Sequence, residues 1–356
     1  MERKAALFAE PARAESTHYD LLMELSRGRL GQLQLARATS RSASRHMLMR
    51  QVAVEWMPPL SGAIARGNGV AHPRWLKTVG FVSVTGVPYL VSEHVAGLPL
   101  SELLKVVQAL RLSVVPEVAL RIVLDALHAA SAAGKLLGDG NPLGASRYIY
   151  AESLWVATFG ETLLVEPGIA QAVRQLQRHT APAPELRVDC TWATPEELRG
   201  EAATLNSDVF AAGGVLWELL TGRPLPELGT GEEAPRLDGM VRAGRRLLPP
   251  IVQLVARALS SRPEERFTDV DDMADAIESL PARWIGTDSQ VQAAVEPLVH
   301  LAPGGNGDDD SEELNSGRHS IDPWETPTRS MRAPFASDVE PTSTRPTVRP
   351  PRSGAA

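Results

Sequence analysis

The sequence predicts an α+β protein in two lobes, a small strand-rich lobe followed by a larger, mainly helical one, with a disordered C-terminal tail. Three observations carry this. The 356 residues suffice for about two ordinary domains or one large bilobal unit with a sizeable core. Strand-type runs occupy the first hundred residues, and apolar residues at three- and four-residue steps dominate the stretch that follows. Composition then breaks near Trp284: residues 285–356 hold eleven acidic residues against six arginines, and nine of the 28 prolines. After Leu301 that segment has almost no apolar periodicity, so it cannot offset the entropy of ordering itself. The expected organisation is an N-terminal extension at 1–17, a small lobe at 18–95, a large lobe at 96–284 and a tail at 285–356.

Taken in order, LLMELSRGRLGQLQLARA sets two short β-type runs on either side of a Gly-containing turn, RHMLMRQVAV is a third run, and FVSVTGVPYLVSEHV is a hairpin turning at TG. PPLSGAIARGNG, with Pro58, Pro59, Gly62, Gly67 and Gly69, reads as a poor helix. PEVALRIVLDALHAASAAGKLL is a long amphipathic helix with Pro116 near its start. YIYAESLWVA and ETLLVEPGIA return to strand character. SDVFAAGGVLWELLTG, PPIVQLVARALS and FTDVDDMADAIESL are helical, the first stopping at Gly222 and the last preceded by a Thr/Asp cap.

Charge and cysteine content exclude several classes. Lys and Arg number 36 against 43 Asp and Glu, a net charge of −7, so no global field draws the chain to nucleic acid. Residues 285–356 contribute −5 of it. Cys190 is the only cysteine; it can form neither an intramolecular disulfide nor a thiolate metal cluster, and it reads as an ordinary buried or half-buried thiol in a reducing compartment. No apolar run has the length of a membrane span or a signal peptide. The expectation is a soluble, cytoplasmic protein.

The order of elements and three local strings resemble a bacterial Ser/Thr protein kinase domain of the Hanks type over about residues 18–282. HPRWLKTVGFVSVTGVPYLVSEHVAGLPLSELL is similar to the family's fourth and fifth strands, hinge and following helix. SDVFAAGGVLWELLTGRPLPE is similar to the long central helix of the large lobe, and SSRPEERFTDVDDMADAI to its last helix. The resemblance implies a two-lobed kinase-like fold. It also lets the family's chemical positions be read one at a time, and almost every one is changed.

In the phosphate-covering loop Ser26 replaces the first glycine, while Gly28 and Gly31 remain, either to let the backbone approach a phosphate or simply to make a hairpin turn. Arg50 stands where the phosphate-gripping Lys is expected, a rigid fork in place of a point charge. The Glu that would pair with it falls on Ala63. The H-R-D string falls on Ser146-Arg147-Tyr148, so the phenol of Tyr148, neutral at pH 7, replaces the carboxylate that receives the substrate proton. The metal-binding Asn becomes Ser153. The D-F-G string becomes Glu166-Pro167-Gly168, leaving Glu166 as a weak candidate for Mg²⁺. The resemblance assigns Leu33, Leu48, Glu93, Val95 and Trp155 to the nucleotide slot, where Leu48 and Trp155 put an isobutyl group and an indole in the way of a purine.

The scaffold positions survive. Pro195 and Glu196 match the end of the activation segment, Arg266 matches the partner of that Glu, and Asp208 matches the residue that holds the catalytic loop's backbone. In the tail, Thr326, Thr328, Thr342, Thr344 and Thr347 lie near Pro and Arg and read as candidate phosphoacceptors or as part of a solvated tail. The resemblance thus implies a catalytically inactive pseudokinase, a regulatory or scaffolding module with no cofactor. Its expected partners are an active Ser/Thr kinase and a phosphothreonine-binding module. The alternative is a weak or atypical Ser/Thr kinase that uses ATP and Mg²⁺.

Overall fold

A computed structural model describes residues 17–28, 31–41, 43–68, 72–137, 148–149, 151–166, 194–199, 201, 204–226, 247–299, 301 and 320–321. In chain order the elements are β1 (Thr17–Gly28), β2 (Gly31–Thr39), β3 (Ser44–Gln51), α1 (Met57–Asn68), β4 (Trp75–Leu76), β5 (Thr78–Val84), β6 (Val87–Glu93), β7 (Gly97–Pro99), α2 (Leu100–Ala109) and α3 (Pro116–Leu137). They continue with β8 (Leu154–Ala157), β9 (Thr162–Val165), α4 (Pro195–Leu198), α5 (Ser207–Thr221), α6 (Pro249–Ala258), α7 (Val270–Glu278), α8 (Asp288–Val299) and β10 (Ser320–Ile321).

The small lobe is an antiparallel sheet in the order β10-β1-β2-β3-β6-β5. Its two faces follow from the two-residue period of a strand. Met47, Met49, Tyr89 and Val91 pack with Tyr19, Ala36, Ala38, Val82 and Val84 on one face. Leu48 and Arg50 point to the other, with their register partners Leu35 and Ser92, and Leu33 and Leu90. There they meet a second sheet, β4-β9-β8-β7. Leu33 and Leu48 pack with Leu76, Trp155, Ala157, Leu163 and Val165 in one apolar cluster.

The large lobe is organised around α5, all fifteen residues of which are buried, as expected of a helix whose sequence is apolar on every side. It ends at Gly222 in the left-handed region at φ +64°. A Cβ there would sit 1.7 Å from the Leu112 carbonyl oxygen, so only glycine lets the α2–α3 connection pass so close.

Two expectations need correction. The segment expected to be a poor helix is helical, over Met57–Asn68. Pro58 and Pro59 fall in its first turn, where the missing N–H groups have no partner to lose, and Leu60 is buried, so packing overrides the cost of its glycines. Secondly, the folded chain does not stop at Trp284. In α8, Val291 and Val295 are buried in the main core, Gly286 N–H donates to the Glu117 carbonyl at 2.8 Å, and Arg121 pairs with Asp288 at 2.6 Å. The high acid and proline content of the whole C-terminal segment masks one short i, i+4 apolar pair. Val291→Ala is expected to cost about 1.5–3 kcal/mol in chemical denaturation, whereas a solvated tail there predicts no change.

Candidate functional site

The chemistry-bearing residues lie where the two sheets face each other. Arg50, the penultimate residue of β3, lies on its inner face between Leu33 and Leu90 of the neighbouring strands and is 1% exposed. Glu166 follows the last residue of β9 and takes a positive φ of 51°, which turns it back under the small lobe. The Nε of Arg50 donates to Glu166 Oε2, and its Nη2 donates to the Glu152 carbonyl at 3.3 Å. Both side chains of the pair are 1% exposed. Burial pushes the Glu166 carboxyl up, and the charge and hydrogen bond of Arg50 oppose that shift. Arg50 Nη1 and Glu166 Oε1 are buried with no hydrogen-bond partner.

Beside this pair Ser153 Oγ donates to the Tyr148 carbonyl at 2.7 Å, closing the turn that leads into β8. Tyr148 is buried. The backbone N–H groups of Tyr148 and Ile149 donate to Asp208 at 3.0 and 2.8 Å. Asp208, in the first turn of the buried helix α5, therefore anchors that loop from below. Arg266 holds Glu196 through two parallel bonds of 2.7 and 2.8 Å. It also donates to the Ser260 carbonyl at 2.7 Å and lies over the Phe210 ring. Burial would raise the Glu196 carboxyl, but the bonds from Arg266 outweigh it and hold Glu196 below the usual carboxylate range. Pro195 is buried and starts α4, capped by Thr194 and Glu197.

The slot assigned from sequence is assembled as one packed cluster. Leu33, Leu48 and Trp155 are at most 1% exposed, and Val95 packs against them. Glu93 ends β6 at the surface. Ser26 is buried near the end of β1, and Gly28 pairs with Gly31 across the hairpin. Gly31 has φ +103°, and a Cβ there would lie 2.1 Å from the Gln51 carbonyl oxygen, so this glycine is required by the approach of β3. Ala63 lies in α1. Arg147, Gly168 and Cys190, and the candidate phosphoacceptors Thr326, Thr328, Thr342, Thr344 and Thr347, lie outside the described residues. Among the described residues no group of three His, Cys, Asp or Glu is placed to hold a metal ion, and no helix is long and apolar enough to cross a membrane.

One neighbour of the site has no signature in the sequence. His94, just past β6, meets the Trp155 indole edge-on at 5.8 Å and the exposed His46 ring at 6.0 Å. Burial, helped by His46, pushes its pKa down to about 4. His94 is thus neutral in the folded protein, whereas the unfolded chain gains its proton near the ordinary value of about 6.5. Its contribution is complete above pH 6.5 and is lost as pH falls towards 4. Thermal melts from pH 7.5 to 4.5 should show His94→Phe losing less stability over that window than the parent; parallel curves would contradict the assignment.

Known proteins with related sequences and folds agree with this geometry. The family model described as protein tyrosine and serine/threonine kinase matches residues 22–271. Tyrosine-protein kinase MasK of Myxococcus xanthus is 27% identical over 219 residues, 59% of this chain and 34% of that protein. Probable serine/threonine-protein kinase SCO3848 of Streptomyces coelicolor is 26% identical over 239 residues, 64% and 32% of the two chains. The chain thus spans about a third of the length of these relatives. Among solved structures, the PknI kinase domain of Mycobacterium tuberculosis (double mutant) superposes with a TM-score of 0.52 at 17% identity, over 76% of this chain and 98% of that one. The PpkA-294 apo form does so with a TM-score of 0.55 at 16% identity, over 76% and 99%. The strand-built small lobe and the helical large lobe are thus those of the kinase fold, and the chain belongs to the protein tyrosine and serine/threonine kinase family.

Proposed function

We propose that this chain is a pseudokinase, a kinase-fold binding module that regulates or scaffolds a Ser/Thr kinase pathway and transfers no phosphate itself. The observation that carries the reading is the closed Arg50–Glu166 pair. The cation that would grip phosphate and the carboxylate that would hold Mg²⁺ bond to each other, buried, through Arg50 Nε and Glu166 Oε2, with the Leu33–Leu48–Trp155 cluster packed nearby. The residues do not fit Mg²⁺ and ATP. Ser153 offers a neutral hydroxyl where a stronger ligand is expected, Glu166 Oε2 is already bonded to Arg50, and Tyr148 offers a phenol where a carboxylate would take the proton. A packed apolar cluster gives density in place of a ligand cavity. What remains intact is the scaffold that shapes an outer surface for protein partners, with an active Ser/Thr kinase and a phosphothreonine reader as the partners proposed, in the cytoplasm.

A second reading, a weak or atypical ATP-dependent Ser/Thr kinase, draws on the same pair, since a cation and a carboxylate do converge between the lobes. Thermal melts with millimolar ATP and Mg²⁺ separate the two. A ligand at 100 times its dissociation constant adds about 2.7 kcal/mol, and the pseudokinase reading expects no shift. A clear shift, together with phosphate incorporation that disappears in both Arg50→Ala and Glu166→Ala, would falsify it.

A further inference from the structure

The small lobe carries a charge opposite to that of the chain as a whole. Residues 18–95 hold nine Lys and Arg against four Asp and Glu, +5, in a chain of −7. The excess gathers at the β2–β3 hairpin, where Arg37, Arg41 and Arg45 are all exposed. Arg37 faces His46 across the strands, and Arg45 faces Ala38. Asp20 faces Arg37 across β1 and β2, but none of the three arginines is within ion-pair distance of a carboxylate among the described residues, and Glu24 is taken by Arg27.

The sequence contains one dense complement, Gly307-Asp308-Asp309-Asp310-Ser311-Glu312-Glu313. The strand pairing brings the chain after it to the same end of the lobe. Ser320 of β10 is the register partner of His18, and His18 is also the partner of Thr39, the last residue of β2 before the hairpin turn. Two strand spacings, roughly 10 Å, therefore separate Ser320 from Thr39. The seven residues from Glu313 to Ser320 span up to about 25 Å when extended, so the acidic block reaches the arginines with length to spare.

We propose that the β2–β3 hairpin is a docking surface for the chain's own acidic segment Asp308–Glu313, folding the C-terminal region back onto the small lobe through charge. The contact does not depend on whether the protein transfers phosphate. It leaves the large lobe's surface open and makes the exposure of the hairpin, and of the chain beyond β10, sensitive to ionic strength. A partner with an acidic or phosphorylated segment would compete for the same arginines.

The test is dipolar electron spin resonance on the full chain, with spin labels at Ser44→Cys and Ser311→Cys in a Cys190→Ser background. At about 50 mM salt, where screening is weak, a population closer than about 25 Å is expected. It should fall about tenfold, the factor that three exposed ion pairs together supply, in Arg37→Glu/Arg41→Glu/Arg45→Glu and again in the parent at about 0.5 M salt. The three arginines are exposed, so an unchanged melting midpoint checks that the variant is folded. A short-distance population that survives both charge reversal and salt overturns the proposal. So does one that disappears on dilution with unlabelled protein, which would place the block on a second copy.

Discussion

Glu166→Ala lowers the unfolding midpoint by about 10 °C, because it leaves Arg50 buried and unpaired. Removing one partner of a buried ion pair costs about 3–5 kcal/mol, and a domain of this size loses roughly 2–4 °C per kcal/mol. Arg50→Ala should cost less, because the orphaned Glu166 escapes part of the penalty by taking up a proton, since burial already pushes its carboxyl up. The informative variant is Arg50→Met/Glu166→Leu. Two apolar side chains of similar volume remove both desolvation costs, so the double change should recover most of the loss. Differential scanning calorimetry of the three proteins decides it: a double variant showing the sum of the single losses would mean that the two side chains do not act as a pair.

Leu48→Ala/Trp155→Leu costs at least about 3 kcal/mol and opens space on the scale of a purine ring. Leu48 and Trp155 are among the largest fully buried side chains, at 0% and 1% exposure. Truncating a buried Leu to Ala alone costs about 2–5 kcal/mol. The gain should appear as a rise in melting midpoint with added ATP that the parent lacks. Calorimetric titration with ATP, with and without Mg²⁺, provides the check, and Leu48→Ala alone serves if the double variant does not fold. Absence of binding in an opened, folded variant would show that purine access is blocked by something other than these two side chains. Nucleotide binding without a requirement for Mg²⁺ is the expected pattern while Glu166 stays bonded to Arg50.

Much of the fold was legible because its signals are local. Alternating apolar residues mark β2 and β3, Gly222 ends α5, and Glu196 and Arg266 stand in strings that identify them before their bidentate contact is seen. The elements that escaped are those whose order comes from elsewhere in the chain. Helix α1 contains prolines and glycines that argue against it and is held by the burial of Trp56 and Leu60. Helix α8 offers only Val291 and Val295 to the core within an acidic, proline-rich context. The site was legible as a set of altered positions but not as a new arrangement. Arg50 and Glu166 were read separately, one as a poor phosphate grip and the other as a loose metal ligand, although they lie 116 residues apart and bond to each other. They come together because β3 and the end of β9 face each other between the two sheets. A contact between residues so far apart in the chain cannot be seen from either position alone. His94 was missed for a similar reason: a single imidazole after a strand says nothing until Trp155 and His46 are found around it.

The packing of α8 separates two boundaries that usually coincide. The residues matched by the family model end at Asp271, the second residue of α7, while the buried core continues through Val295. Natural recombination or a laboratory fusion that joins a foreign segment at the first boundary would lose most of α7 as well as α8, exposing the apolar surface of α3 that Met273, Ile277, Val291 and Val295 now cover. The portable module is therefore longer than the matched one and runs through α8.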